Sequence, residues 1–585
     1  MIAGFRALPL LLAGALLRAA ALAPDAAAMA PAPPGSPTEN QDPRTKNGSW
    51  QVAIRVDAGR ALGDWKPIWR FFGADEPNYA TMKDGERLLG ALGALRPKQI
   101  YFRAHNLLNT GDGTPAFKWG STNVYTEDAR GRPVYDWTVV DRIFDTYLAR
   151  RVHPYVEFGF MPRALSTHPE PYRHEWRPGL PYDEIFTGWA YPPKDYGKWR
   201  DLAYAWARHC VERYGRAEVE SWYWEVGNEP NTGYWKGTPE EWYQLYDFAV
   251  DGIRRALPTA RVGGPHTAGS GGAFMDGFLR HLLSGANAAT GGTGAPADFL
   301  AFHAKGQPVY VDGRVRMGIA AQLQTLDSGF RKIAAVPALR SRPIVIGESD
   351  PEGCAACLGP QLGYRAGTMY SSYTAASIAR HLLLADRDGV NLEGMLTWAF
   401  EFEDQPYFAG QRVLATNGID LPVLNVFRLL SRMGGHRLDT ASTGEVPLDA
   451  IVRDGVRGSP DVAALASLDG SRLCILAWHY HDDDLPGPDA EVALTLEHLP
   501  VESGPARLTQ FRIDQDHSNA FSAWKRMGSP PFPNQEQYAR LVAAGQLAPP
   551  EGPAPLAVAG HAATLHFTLP RQGVALLVID LPTAP

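Results

Sequence analysis

The stretch Trp222-Tyr223-Trp224-Glu225-Val226-Gly227-Asn228-Glu229-Pro230-Asn231 decides how this chain is read. Its first half, Tyr223 to Val226, is rich in aromatic and β-branched residues, the texture of a buried strand. The strand pattern stops at Asn228-Glu229-Pro230-Asn231. Proline has no amide hydrogen and disfavours a helical residue before it, so the ladder ends there. Glu229 is therefore predicted at the C-terminal tip of a strand, beside an amide and among tryptophans. A carboxylate in that setting points to sugar chemistry. It also demands a second carboxylate and a scaffold from the rest of the chain.

Outward from this stretch, strand-like and helix-like runs alternate. Strands are predicted at 71–74, 99–104, 154–160, 222–226, 261–264, 299–303, 344–347 and 395–400. Helices are predicted at 81–95, 139–150, 196–214, 239–257, 319–335, 371–386 and 423–433. Thr238 with Glu241 three residues on is a capping box for the helix that follows the opening stretch. The alternation predicts an α/β fold, a (β/α)8 TIM barrel, in which strand C-termini face the active site. His105, Asn228, Glu229, His303, Glu348 and Glu403 fall at such tips.

After Gly435 the texture changes to short β runs between turn residues, which predicts a C-terminal antiparallel β-sandwich. The alternating run 50–57 precedes any helix and is expected to join that sandwich. The expected domains are a signal peptide (1–23), a disordered linker (24–49), an N-terminal strand (50–60), the catalytic barrel (61–435) and the β-sandwich (436–585).

Composition narrows the class. The chain has 585 residues, 45% hydrophobic and 20% charged, as in a globular protein with a sizeable core. Its 16 Trp and 23 Tyr exceed what cores alone need, and flat faces that stack on sugar rings would use the surplus. A net charge of −7 without a basic block speaks against nucleic acid as a partner. Arg6, the apolar run 7–17 and the small residues 19–23 read as an export signal, hence a periplasmic or secreted protein. A membrane-tethered N-terminus is the competing reading. No later stretch is apolar enough for stable membrane insertion. Cys354 and Cys357 form a C-x-x-C pair, read as a loop-stapling disulfide rather than a metal or redox site. Gly269-Ser270-Gly271-Gly272 lacks the lysine and the placement of a phosphate-binding loop.

Glycoside hydrolysis uses two carboxyl groups, one to protonate the leaving oxygen and one to attack or to activate water. Glu229 and Glu348, at the ends of the fourth and seventh strands, are the best pair. The bland alternatives are a salt-bridged or capping Glu229, and a Glu348 that is one loop carboxylate beside Asp350 and Glu352. No cofactor and no metal is expected.

Several motifs resemble glycoside hydrolase family 39, the family of β-xylosidases and α-L-iduronidases. Trp222 to Asn231 resembles its acid/base motif, and Tyr101-Phe102-Arg103-Ala104-His105 its second-strand motif. Trp398 with Phe402-Glu403-Asp404 resembles a shortened eighth-strand segment. Arg512-Ile513-Asp514, His517-Ser518-Asn519, Trp524-Lys525 and Met527-Gly528-Ser529-Pro530 resemble its C-terminal signature. The resemblance implies a retaining double displacement, with Glu229 as acid/base, Glu348 as nucleophile, and a raised pKa on the acid. Two departures from the xylosidase pattern, His303-Ala304-Lys305-Gly306 and Glu348-Ser349-Asp350-Pro351, are closer to the iduronidase branch. There the resemblance implies that Lys305 and Arg412 grip a substrate carboxylate. The competing reading pairs Lys305 with Asp350 or Asp404. His105, His266, His303, Asn228, Asp350, Trp398, Glu403 and Asp404 complete the expected substrate contacts. The activity implied is a retaining exo-glycosidase acting on terminal β-xylosyl or related pentosyl residues of a glycoside or oligosaccharide. The alternatives are an iduronidase-like uronide hydrolase and a non-catalytic glycan-binding protein. A homo-oligomer is compatible with the chain.

Overall fold

The computed structural model describes residues 45–46, 48–549 and 552–582. The expected export signal lies outside the described residues, as does most of the expected linker. At the end of that linker Thr45–Lys46 is a short strand, paired antiparallel with Ser49 and Trp50, where disorder was expected.

Eight parallel strands close into a barrel: β1 (Phe71–Ala74), β2 (Ile100–Ala104), β3 (Val152–Phe158), β4 (Tyr223–Val226), β5 (Arg261–Thr267), β6 (Phe299–Phe302), β7 (Pro343–Ile346) and β8 (Asn391–Trp398). Closure comes from β8 against β1, with Leu396 opposite Phe71 and Trp398 opposite Gly73. The predicted helices are present, but Leu448–Asp454, Ala520–Arg526 and Gln535–Gly545 were missed after the barrel, and a longer one was missed inside it. Gly272–Ser284 is helical between β5 and β6. Gly271 (φ +74°) and Gly272 (φ +50°) turn the chain into it through left-handed backbone, which is why the run reads as loop from sequence.

Successive side chains on a strand face opposite ways, so each barrel strand divides its residues between interior and helix layer. Phe71, Tyr101, Tyr155, Tyr223, Phe299, Val345 and Leu396 fill the interior. Trp222 and Trp224 point the other way. Trp222 meets Phe144 edge-on with ring centroids 5.5 Å apart, and Trp224 meets Trp206 at 6.0 Å. These tryptophans are core, so the reading that set Glu229 among tryptophans is corrected.

The second module is a mostly antiparallel sheet whose two ends share a core around Val52, Leu494, Leu565 and Leu577. Ser49–Asp64 lies inside it, antiparallel to His436–Ser442 and parallel to Ala490–Glu497. Its central strand Arg472–Tyr480 is buried on both faces, so it reads as a continuous apolar run. Leu473, Ile475 and Ala477 face the sheet's own core, while Cys474, Leu476 and Trp478 join the barrel's core. Arg380, on the barrel helix Thr368–Asp388, pins the join through Asp461 at 2.6 Å. No helix among the described residues is long and apolar enough to cross a membrane.

Candidate active site

The barrel interior becomes ionic towards its C-terminal mouth. Beyond Tyr101, Tyr155 and Tyr223, the next inward positions on the same strands are Arg103, Glu157 and Glu225, none of them exposed to solvent. Arg103 forms a close pair with Glu225 through Nε, lies 3.1 Å from Glu157, donates to Asn228 Oδ1 at 2.9 Å and reaches Glu348 Oε1 at 3.4 Å. One guanidinium fork thus orients the amide and the carboxylate expected to work on substrate. A bidentate, planar donor suits this task better than a lysine would.

Glu229 follows β4 by three residues. Gly227 takes φ +63° and Glu229 itself φ +40°, a left-handed value uncommon away from glycine. The turn is held by the Glu229 amide, which donates to the His266 carbonyl at 2.9 Å. The carboxylate then faces β6 and β7: Oε1 accepts from His303 Nδ1 at 2.8 Å and from Lys305 Nζ at 2.9 Å. Glu348 follows β7 and is 3% exposed. Its Oε1 lies 3.3 Å from His105 Nε2, and its Oε2 lies 2.6 Å from Lys305 Nζ. His105 is braced from behind by a close pair with Glu157. His266 Nε2 lies 2.9 Å from the Tyr155 hydroxyl and packs against Glu225, while its Nδ1 lies 3.3 Å from His303 Nε2.

These neighbours set the charges. Burial pushes Glu229 up, but the Lys305 ammonium and the His303 hydrogen bond outweigh it and hold the carboxyl at about 2. The sequence expectation of a raised pKa on the acid is therefore reversed in this arrangement, because the lysine touches it. Burial likewise opposes charge on Glu348, yet Lys305, His303 and His105 hold it well below the usual carboxylate range. His105 is burdened by burial and still rises to about 9, because Glu157 faces it. Burial lowers His266 to about 3 and lowers His303 too, so both rings are neutral near pH 7.

The structure thus brings Glu229, Glu348, Asn228, His105, His266, His303 and Lys305 into one cluster. Lys305 bridges the two glutamates rather than pairing with Asp350 or Asp404. Trp398 is 2% exposed, with its ring centroid 4.3 Å from that of His105 and the Arg103 guanidinium 5.0 Å from its own. Arg412 was expected in the mouth and is not there. It is fully buried beneath the loop after β7, where Nη1 donates to the Glu352 carbonyl at 2.6 Å and Nη2 lies 3.6 Å from Asp350. Asp350, buried and pushed up to about 7 by that burial, accepts from the Trp398 amide at 2.9 Å. Glu403 accepts from the Asp84 amide at 3.2 Å, and Asp404 is an exposed rim residue. Cys354 and Cys357 are disulfide-bonded within the same loop that carries Asp350.

Glu229, His303 and Glu348 each offer a ligand atom within 4.8 Å of the others, a spacing a metal ion could bridge. The Lys305 ammonium already supplies the positive charge between the two carboxylates, so the set does not fit a metal while that lysine is in place. The pair Asp75 and Lys118 forms a second charged wall, with Asp75 3.4 Å from His105. Arg103, Glu157, Glu225, Asp75 and Lys118 are not among the site residues expected from sequence. The signal for the first three was there: charges at alternate positions in otherwise apolar strands.

Comparison with known proteins gives the family and agrees with the fold. The model of glycosyl hydrolases family 39 matches residues 52–562. A β-xylosidase of Geobacillus stearothermophilus is 26% identical over 466 residues, covering 76% of this chain and 79% of that protein. The α-L-iduronidase of Homo sapiens is 27% identical over 527 residues, covering 84% and 73%. Among solved structures, a monomeric β-xylosidase from Caulobacter crescentus superposes with a TM-score of 0.69 at 24% identity, covering 91% of this chain and all of that one. A bacterial orthologue of human α-L-iduronidase superposes with a TM-score of 0.71 at 22% identity, covering 92% and 84%. With two buried glutamates at opposing strand tips and a family match across the barrel and most of the sandwich, the chain is a glycoside hydrolase that belongs to glycosyl hydrolases family 39.

Proposed function

We propose that the protein is a retaining exo-glycosidase working by double displacement, with Glu229 as acid/base and Glu348 as nucleophile. The observation that carries this reading is the proximity of the two carboxylates, with oxygens within 4.8 Å of one another across the barrel mouth. Retaining enzymes place their carboxyl groups about 5–5.5 Å apart, whereas inverting ones leave roughly 6.5–9.5 Å for a water. Glu348 attacks the anomeric carbon while Glu229 protonates the leaving oxygen. Esterification removes the charge on Glu348, and Glu229 then takes a proton from the incoming water. Asn228, fixed by Arg103, is placed to bond a sugar hydroxyl. The non-catalytic alternative is disfavoured by a network that keeps Glu348 ionised and oriented.

The neutral substrate of this reading is a terminal β-xyloside or related pentoside. A uronide is the second reading, and one observation favours it: the Lys305 ammonium stands at the catalytic pair, where it could meet a sugar carboxylate. Arg412 adds nothing to that grip from its buried place. The expected export signal would put the reaction outside the cytoplasm. A panel of aryl β-D-xyloside, α-L-arabinoside and α-L-iduronide tests the substrate. Following the first-formed anomer by NMR tests the stereochemistry, and inversion would remove the nucleophile role of Glu348.

A further inference from the structure

Lys305 stands where the chemistry has to happen. Its Nζ is 2.9 Å from Oε1 of Glu229 and 2.6 Å from Oε2 of Glu348. A general acid must come within about 2.6–3.2 Å of the atom it protonates. A nucleophile must come within about 3–3.5 Å of the carbon it attacks. The ammonium already holds both carboxylates at such distances, so a glycosidic bond and this lysine compete for one place. The lysine has a way out. Its side chain is 19% exposed, against 11% for Glu229 and 4% for Glu348. Beside its Cδ the chain carries Gly353, where a β-carbon would lie 3.5 Å from Cδ and 3.9 Å from Nζ.

We propose that Lys305 is a latch on the catalytic pair: it ties Glu229 to Glu348 until a sugar enters, and its displacement lets Glu229 take from solvent the proton that it then donates. The proposal rests on the acid/base and nucleophile roles given above. Its direction follows from the groups that face the two carboxylates. Against charge on Glu229 stand its burial and the charge of Glu348; for it stand Lys305 and His303. His303 is neutral and hydrogen-bonds His266, also neutral, so β5 and β6 supply little positive charge. Tyr182 and Tyr234, near Glu229, are kept un-ionised by burial. On the side of β2, Arg103 and His105 both touch Glu348. Once the ammonium leaves, Glu348 keeps two cationic partners and Glu229 keeps none. The single proton taken up therefore goes to Glu229, as a retaining enzyme needs. An anionic sugar also offers the displaced ammonium a new partner, which a neutral sugar does not.

The test is the pH dependence of kcat and kcat/KM on the aryl glycoside of the panel that is cleaved fastest. The basic limb of kcat/KM reports the acid in the free enzyme, and that of kcat reports it in the complex. The expected result for the wild type is a kcat limb at least about one pH unit above the kcat/KM limb. In Lys305→Met the two limbs should coincide, both at the higher value. Coincident limbs in the wild type overturn the latch, and that measurement needs no variant. A Lys305→Met limb of kcat/KM that stays at the wild-type value overturns it as well. Glu229→Ala with azide separates this failure from failure of the underlying roles. Rescue with a glycosyl azide product and unmoved limbs removes only the latch; absence of rescue removes the acid/base role and the latch with it.

Discussion

Arg103→Met should injure both stability and turnover, with a pH signature. The guanidinium is fully buried among Glu225, Glu157 and Glu348, and it also holds Asn228. Removing one partner of a buried ion pair leaves an uncompensated charge and costs about 3–5 kcal/mol. The losses on the three carboxylates share one network and do not add, so about 3–5 kcal/mol is also the whole expected loss near neutral pH. Burial opposes charge on Glu225, yet Arg103 and His266 hold its pKa below the ordinary value. A depressed carboxyl pKa contributes stability that is present above its unfolded value, about 4.3, and is lost as pH falls through the folded value. The gap between wild type and variant should therefore be widest near neutrality and narrow below about pH 4. Urea unfolding at both pH values, read through midpoint and slope, measures it. Loss of the fork should also lower kcat/KM on the order of 100-fold, since Asn228 and Glu348 lose their common anchor. Arg103→Lys, which keeps charge but not geometry, should recover only part of each. A loss under about 1 kcal/mol near neutral pH, or an equal loss at both pH values, would refute the reasoning.

Three further outcomes follow from the same geometry. Glu229→Gln should reduce kcat on an alkyl glycoside by about 10²–10⁴-fold, and by less on an aryl glycoside whose leaving group needs little protonation. Trp222→Ala should cost about 3–5 kcal/mol of stability with KM unchanged, because the ring packs on Phe144 in the helix layer; a large rise in KM at full stability would return it to the sugar site. Opening the Cys354–Cys357 bridge by Cys354→Ser should cost at most about 2 kcal/mol, the loop-closure value for so short a ring, measured as a shift in the urea midpoint.

The barrel was legible because its strands are short apolar runs ending in polar tips, and that pattern is local. Glu229 and Glu348 were legible for the same reason, as carboxylates just past strand ends. The helix Gly272–Ser284 was not, because its entry rests on two left-handed glycines that read as loop. Trp222 and Trp224 misled, because an aromatic residue is named by sequence while its direction is set by barrel register.

What the sequence alone determined is the order of the barrel strands, the two carboxylates and the strand that ties the N-terminal segment to the sandwich. What only the tertiary structure decided is which charges meet. Lys305 could have paired with Asp350, Asp404 or a substrate, and Arg412 could have reached the mouth. In the folded chain Lys305 bridges Glu229 and Glu348, while Arg412 is buried with Asp350 and Glu352. Partner choice among buried charges depends on distances of a few ångströms between residues far apart in the chain, and periodicity along one strand carries no information about that.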